Sequence, residues 1–185
     1  MRLILIGNFL FDKRQGNVYI NFMTIKKFEL RQIGVIYTPF NSPEGVPIQP
    51  LGAEGINGRV EVFPEFIEGL KDIEGFSHII LIYYFHFIKG SKLIVKPFMD
   101  NDYHGVFATR ASSRPNPIGL SIVRLIDVKD NIIHIRDIDI VNKTPLLDIK
   151  PYVPEFDIRE VEKIGWLEKN IHKLPDVRDD GRFIE

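Results

Sequence analysis

The stretch Ile79-Ile80-Leu81-Ile82-Tyr83-Tyr84-Phe85 decides the fold. It lies in a nearly continuous apolar run over residues 77–87, and its β-branched and aromatic side chains favour a central strand over a helix. Outward from it, the chain breaks into short strand-like runs between punctuated turns: residues 31–37, 59–63, 92–97, 106–109, 120–127, 132–135 and 138–141. Residues 64–70 have the length of one or two helical turns, with Pro64 at a starting position. Such closely spaced strands with few helices predict a mainly β fold, a barrel or a sandwich. A helix is expected only over residues 159–174, where Val161, Ile164, Leu167 and Ile171 recur at three- and four-residue spacing. Residues 1–25 read as a hairpin: an apolar strand over 2–6, a polar turn over 12–17 containing Gly16, and an alternating strand over 18–22. Met23 opens a second plausible beginning.

Composition bounds the function classes. The chain has 185 residues, 44% apolar and 26% charged, the balance of an ordinary globular protein long enough to bury a core without staples. It has no cysteine, which excludes disulfides, thiolate metal sites and a cysteine nucleophile, and fits a reducing, cytoplasmic setting. Net charge is −1, so this is no generic polyanion binder. The charge is uneven, however: residues 86–150 carry ten basic and seven acidic side chains, net +3, whereas residues 151–185 carry six and nine, net −3. No apolar run is long enough to span a membrane. The apolar centre of residues 1–11 is too short for a signal peptide and lacks a small-residue cleavage site.

Three stretches are too rigid to be mere connectors. Residues 38–58 form a long loop with Pro39, Pro43, Pro47, Pro50 and four glycines, and loops of that length in a compact domain are usually functional or disordered. Residues 105–121 read Gly-Val-Phe-Ala-Thr-Arg-Ala-Ser-Ser-Arg-Pro-Asn-Pro-Ile-Gly-Leu-Ser. Pro115 and Pro117 fix their own φ and confine Asn116 between them. This loop presents Arg110 and Arg114 four residues apart, suited to an anionic group. The third stretch, residues 144–154, has three prolines around Asp148 and Lys150; it reads as a turn carrying a surface ion pair, or as another pocket wall. His86 ends the apolar strand where it reaches the surface, a position able to line a pocket. The other histidines show no metal-ligand spacing, so no metal is expected. There is no G-x-G-x-x-G after a strand, no P-loop and no G-x-S-x-G, so a nucleotide-like ligand must be held in some other way.

Taken together and in order, these motifs resemble the TrmO (TsaA-like) family. The resemblance rests on Ile33-Gly34-Val35-Ile36 with Pro39, Val46-Pro47-Ile48-Gln49-Pro50, Gly75-Phe76-Ser77-His78 leading to Phe85-His86, and Arg114-Pro115-Asn116-Pro117-Ile118-Gly119. It ends with Thr144-Pro145 and Asp148-Ile149-Lys150-Pro151-Tyr152, so that it spans roughly residues 30–158. It implies a small antiparallel β-barrel over residues 28–158, between a hairpin extension at 1–27 and a helical tail at 159–185. The implied activity is methyl transfer from S-adenosylmethionine to N6 of threonylcarbamoyladenosine, next to the tRNA anticodon, by a homodimer with the cofactor near its subunit interface.

Carried over motif by motif, cofactor contacts fall on Gln49, Pro50 and Leu51, on Phe85 and His86, on Arg110 and Leu120, and on the turn Asn142, Lys143, Thr144, Pro145 and Leu146. Where the family usually reads D-G-T-P, this chain reads Asn142-Lys143-Thr144-Pro145, exchanging an acid for an amide and a glycine for a residue that pays to adopt positive φ. Arg114 and Asn116 are expected to face the modified base or the RNA. The N6 nitrogen is a weak nucleophile, and a base such as His86 or Asp148 would help remove its proton. The rival readings are a methyltransferase of this fold acting on another nucleoside or a small molecule, and a non-catalytic ligand- or RNA-binding barrel.

Overall fold

A computed structural model describes residues 3–6, 9–12, 17–20 and 29–184. The chain divides into two compact units, residues 1–30 and residues 31–185. In the first, β1 (Leu3–Ile6), β2 (Phe9–Asp12) and β3 (Asn17–Ile20) form a three-stranded antiparallel sheet in the order β1-β2-β3. The expected hairpin is thus a meander, because residues 3–6 and 9–12 contribute two strands instead of one. Of the turn expected over 12–17, Asp12 and Asn17 are paired strand residues, while residues 13–16 and the second beginning at Met23 lie outside the described residues.

The second unit is built on a closed six-stranded antiparallel barrel. Its strands are β4 (Gly34–Tyr37), β5 (Asn57–Val62), β6 (His78–Tyr84), β9 (Ile118–Lys129), β10 (Ile132–Arg136) and β11 (Thr144–Pro151), in the order β10-β5-β4-β11-β6-β9. Strand periodicity sorts the side chains. Along β6, Ile79, Leu81 and Tyr83 are buried while their neighbours are more open, and Val123, Ile133, Ile135, Val60, Ile36 and Leu146 complete one core from the other strands. Each such aliphatic side chain contributes about 1.5–3 kcal/mol by leaving water. Register shifts in the β10–β9 and β11–β6 pairings supply the local bends that let a small sheet close on itself. At Gly34 an added Cβ would run into the Glu61 carbonyl oxygen, with Val62 Cα at 3.1 Å, so β4 and β5 approach more closely than a side chain allows.

Four expectations are corrected. Residues 144–151 are a strand despite their prolines. Pro145 pairs only with β4 (Val35) and Pro151 only with β6 (Ile79), so neither is asked for a second ladder bond that its missing N–H could not give. Residues 106–108 form a 3-10 turn, and residues 138–141 run irregularly although Ile138 and Ile140 are buried; their alternation reflects core contact without ladder pairing. The strand expected over 92–97 shrinks to β7 (Ile94–Val95), paired with β8 (His104–Gly105).

The tail is likewise no continuous helix. Gly165 sits at φ 63° in the middle of the periodic pattern, and only 3-10 segments at Gly165–Lys169 and Ile171–Lys173 form. The tail works as a strap. Trp166 Nε1 donates to the Ala108 carbonyl (2.8 Å) and its ring stacks on His104 at 4.7 Å, while Phe183 packs edge-on against Phe98 at 5.1 Å. Between these anchors, Gly45 N and Asp179 N exchange bonds with Asp179 O and Val46 O, both 2.8 Å. The strap therefore ties the proline-rich loop to residues 98–108.

Gly34→Ala is expected to cost about 1–3 kcal/mol, because the clash is with backbone that cannot rotate away. Gly69→Ala, where an added Cβ meets nothing within 4 Å, is expected to be near neutral. Urea unfolding midpoints of the two variants check the contrast.

Candidate functional site

One end of the barrel is polar where its other inward positions are aliphatic. Tyr83 on β6 faces Gly119 on β9 in register, and an added Cβ on Gly119 would collide with the Tyr83 ring. The missing side chain lets the ring cross β9 and bring its hydroxyl to Ser121 Oγ, 3.0 Å away. Ser121 in turn donates to Asp139 Oδ1 at 2.6 Å. Since the Ser121 proton is committed to Asp139, the Tyr83 hydroxyl is the donor to Ser121. The chain of bonds therefore runs one way and ends on a carboxylate. Burial pushes the Asp139 carboxyl up to about 7, against the opposing pull of Ser121, its own backbone and Arg110. Burial and the nearby Asp139 push the Tyr83 phenol upward as well, so it stays protonated.

Tyr83 and Asp139 open onto a cavity of about 800 Å³, with Ser121 buried behind them. Gln49 from the proline-rich loop and Arg110 from the R-P-N-P loop meet across it, with Arg110 Nη1 donating to Gln49 Oε1 at 2.7 Å. His86 Nδ1 lies 3.3 Å from Thr144 Oγ1, whose own proton goes to the Val141 carbonyl at 2.7 Å, so His86 donates from Nδ1 and carries its lone pair on Nε2. Burial holds its pKa below the usual imidazole value, with a bond to the Tyr84 backbone opposing. Arg114 also lines the cavity, but its Nη1 clamps its own loop by donating to the carbonyls of Thr109 (3.0 Å) and Ala111 (3.2 Å). The far wall is apolar and comes largely from the strap, through Trp166, Leu167, Ile171 and Leu174.

The cavity thus brings together Gln49, Phe85, His86, Arg110, Leu120 and Thr144 from the sequence-derived cofactor set, with Arg114 beside them. Other members lie elsewhere. Leu51 is solvent-exposed beside Pro50 at the start of a 3-10 turn, Leu146 is fully buried in the barrel core, and Asn116 is exposed on the loop. Pro145 is taken up by the β11–β4 pairing. Asn142 holds the start of the proline-rich loop: its Oδ1 accepts from Thr38 N (3.2 Å) and its Nδ2 donates to the Asn41 side-chain Oδ1 (2.9 Å). Lys143 adopts φ 63°, so the turn keeps a left-handed residue despite its side chain. Asp148, one candidate base, is corrected in position: it is outside the cavity, paired with Lys150 Nζ at 2.7 Å on a half-exposed face of β11.

Sequence reasoning missed Tyr83, Ser121, Asp139 and the strap. The available signal was an acid between two isoleucines in Ile138-Asp139-Ile140, which strand logic assigns to the solvent side. Among the described residues no group of three or more His, Asp or Glu is placed to hold a metal, and no helix is long and apolar enough to cross a membrane.

Asp139 has a consequence for stability. With its pKa raised from 3.8 to about 7, the folded chain keeps a proton that the unfolded chain has lost across that window. The folded state binds more protons there, so this group's contribution falls as pH rises through the window. Asp139→Asn is expected to flatten that slope and to be no less stable than the parent on the alkaline side, as read from urea midpoints at both ends of the window.

Comparison with known proteins identifies the family. The family model described as the tRNA-methyltransferase O N-terminal domain matches residues 35–158. A probable S-adenosyl-L-methionine-binding protein of Pyrococcus abyssi is 66% identical over 154 residues, 83% of this chain and 84% of that one. The tRNA (adenine(37)-N6)-methyltransferase of Escherichia coli is 37% identical over 140 residues, covering 70% of this chain and 60% of the enzyme. The crystal structure of TrmO from Pseudomonas aeruginosa superposes with a TM-score of 0.63 at 36% identity, covering 76% of this chain and 62% of that one. This chain thus spans about 60% of the length of the Escherichia coli enzyme and of the solved TrmO structure. A closed barrel whose polar end gathers Gln49, His86, Arg110 and Thr144, matched over most of its length, belongs to the tRNA-methyltransferase O family.

Proposed function

We propose that this chain is an S-adenosylmethionine-dependent methyltransferase that methylates N6 of threonylcarbamoyladenosine beside the tRNA anticodon. The observation that carries the reading is the Gln49–Arg110 bridge over a cavity of about 800 Å³, within the range of small-molecule sites. The residues fit the cofactor's parts. Arg110 offers a guanidinium to its carboxylate, Phe85 an aromatic face to its adenine or its cation, and Thr144 and Gln49 neutral polar partners. When bound, the cofactor supplies an activated methyl group. The protein's part is to hold the acceptor nitrogen in line with it and to keep water out.

Arg114 and Asn116 are the proposed contacts to the modified base and the RNA, through donors beyond the Arg114 Nη1 that clamps the loop. Phe107 and Leu120 are exposed apolar side chains at the cavity, and a second copy of this chain is the proposed cover for them. A tRNA substrate would make the cytoplasm its working compartment.

Calorimetry is expected to show S-adenosylmethionine binding to the wild-type chain. Arg110→Ala should weaken it on the order of 10- to 100-fold, the value of a bond to a charged group. Mass spectrometry of tRNA nucleosides after incubation with chain and cofactor is expected to show one added methyl on threonylcarbamoyladenosine. Binding without that mass gain would instead favour a ligand-binding barrel.

A further inference from the structure

Nothing in the packing of the barrel calls for a carboxyl at Asp139. Ile138 and Ile140 beside it are buried in the aliphatic core, while Asp139 keeps part of its surface open to the cavity. An acid in so apolar a setting costs stability unless its surroundings serve its ionised form. Here they do. The Tyr83 and Ser121 hydroxyls both point their protons toward it, and Arg110, at the same cavity, adds a favourable charge. The charged and titratable groups around it are therefore Tyr83 from β6 and Arg110 from the R-P-N-P loop, with His86 and Asp179 also on the cavity wall. Asp137, two residues before it, is engaged elsewhere by Gly55 N at 2.8 Å and Arg124 at 3.5 Å.

We propose that Asp139 accepts the N6 proton of the nucleoside during methyl transfer, with Ser121 as its positioning residue. The assignment rests on the function proposed above. In the step, the N6 nitrogen bonds to the methyl carbon, the carbon–sulfur bond breaks with its pair staying on sulfur, and the N6 proton passes to the Asp139 carboxylate. The products are a methylated nucleoside, a neutral thioether and a carboxylic acid that then loses its proton to water. Atoms and charge balance without another reactant. Of the other two candidate bases, Asp148 lies outside the cavity, whereas His86, held through Nδ1 by Thr144, keeps its Nε2 lone pair and is the competing base that the test must separate from Asp139.

The test is single-turnover methylation of tRNA carrying threonylcarbamoyladenosine by the full chain at saturating S-adenosylmethionine, measured from acid to alkaline pH. Calorimetry with the cofactor and unfolding curves of the cofactor-free chain run alongside. The wild-type rate should rise with pH along a one-proton limb. Asp139→Asn should be slower by on the order of 10²- to 10⁴-fold and lack that limb, at unchanged cofactor affinity. Ser121→Ala, which removes a bond that favours the ionised form, should move the limb to higher pH and shift the stability window of the cofactor-free chain the same way. This second variant decides the matter if Asp139→Asn fails to fold.

The assignment is overturned by an Asp139→Asn variant with the wild-type rate and limb, by a limb lost in His86→Ala instead, or by an unshifted limb in Ser121→Ala. A wild-type chain that never methylates this nucleoside overturns the proposed function and the assignment with it. An active wild-type chain with an indifferent Asp139 overturns the assignment alone.

Discussion

Tyr83 crosses β9 at the one inward position where that strand has no side chain, and the polar end of the barrel is organised around this contact. Because Gly119 leaves the space open, the phenol reaches Ser121 two residues along the same face, and Ser121 is held against Asp139. Phe85 then packs edge-on against Tyr83 at 5.3 Å, and Phe85 N bonds to the Pro117 carbonyl at 2.8 Å. The end of β6 and the R-P-N-P loop are thereby locked together, which places His86 and Arg110 on one cavity. A single absent methyl group sets the position of a hydrogen-bonded chain, an aromatic pair and two loops.

The aliphatic ring of the barrel was legible in the sequence because burial there follows simple periodicity. Ile79, Leu81 and Val123 alternate along strands as their burial requires. The rigid loops were legible for a different reason: proline restricts backbone whatever its surroundings, so Arg114-Pro115-Asn116-Pro117 could be read as a fixed presentation of side chains. Gln49 and Arg110, carried over from family motifs, do meet at one cavity.

What escaped the sequence depends on contacts between distant residues. Residues 144–151 look like a turn until it is known that β11 changes partner along its length, so that each proline falls where only one neighbour is present. The helical spacing of residues 159–174 is real as a pattern of apolar contacts, but Gly165 breaks the backbone and the contacts are made by short 3-10 turns. Asp139 escaped because strand alternation assigns the residue between two buried isoleucines to solvent, and here the backbone is irregular and the opposite side is a cavity. Asp148, in the family-like D-I-K-P-Y segment, attracted attention through its motif and is an ion pair on the outside of the barrel.

The strap joins residues far apart in the chain. The bond from Gly45 to Asp179 closes a ring over residues 45–179 that contains every barrel strand except β4. Ring closure over so long a segment carries a large entropic cost, and that cost is met only once the barrel has already shortened the distance. The cavity wall hangs on this closure, through bonds that belong to none of the barrel ladders. Contacts that lie outside the ladders can be lost without breaking one of them, so local opening at the strap costs the barrel less than opening within it.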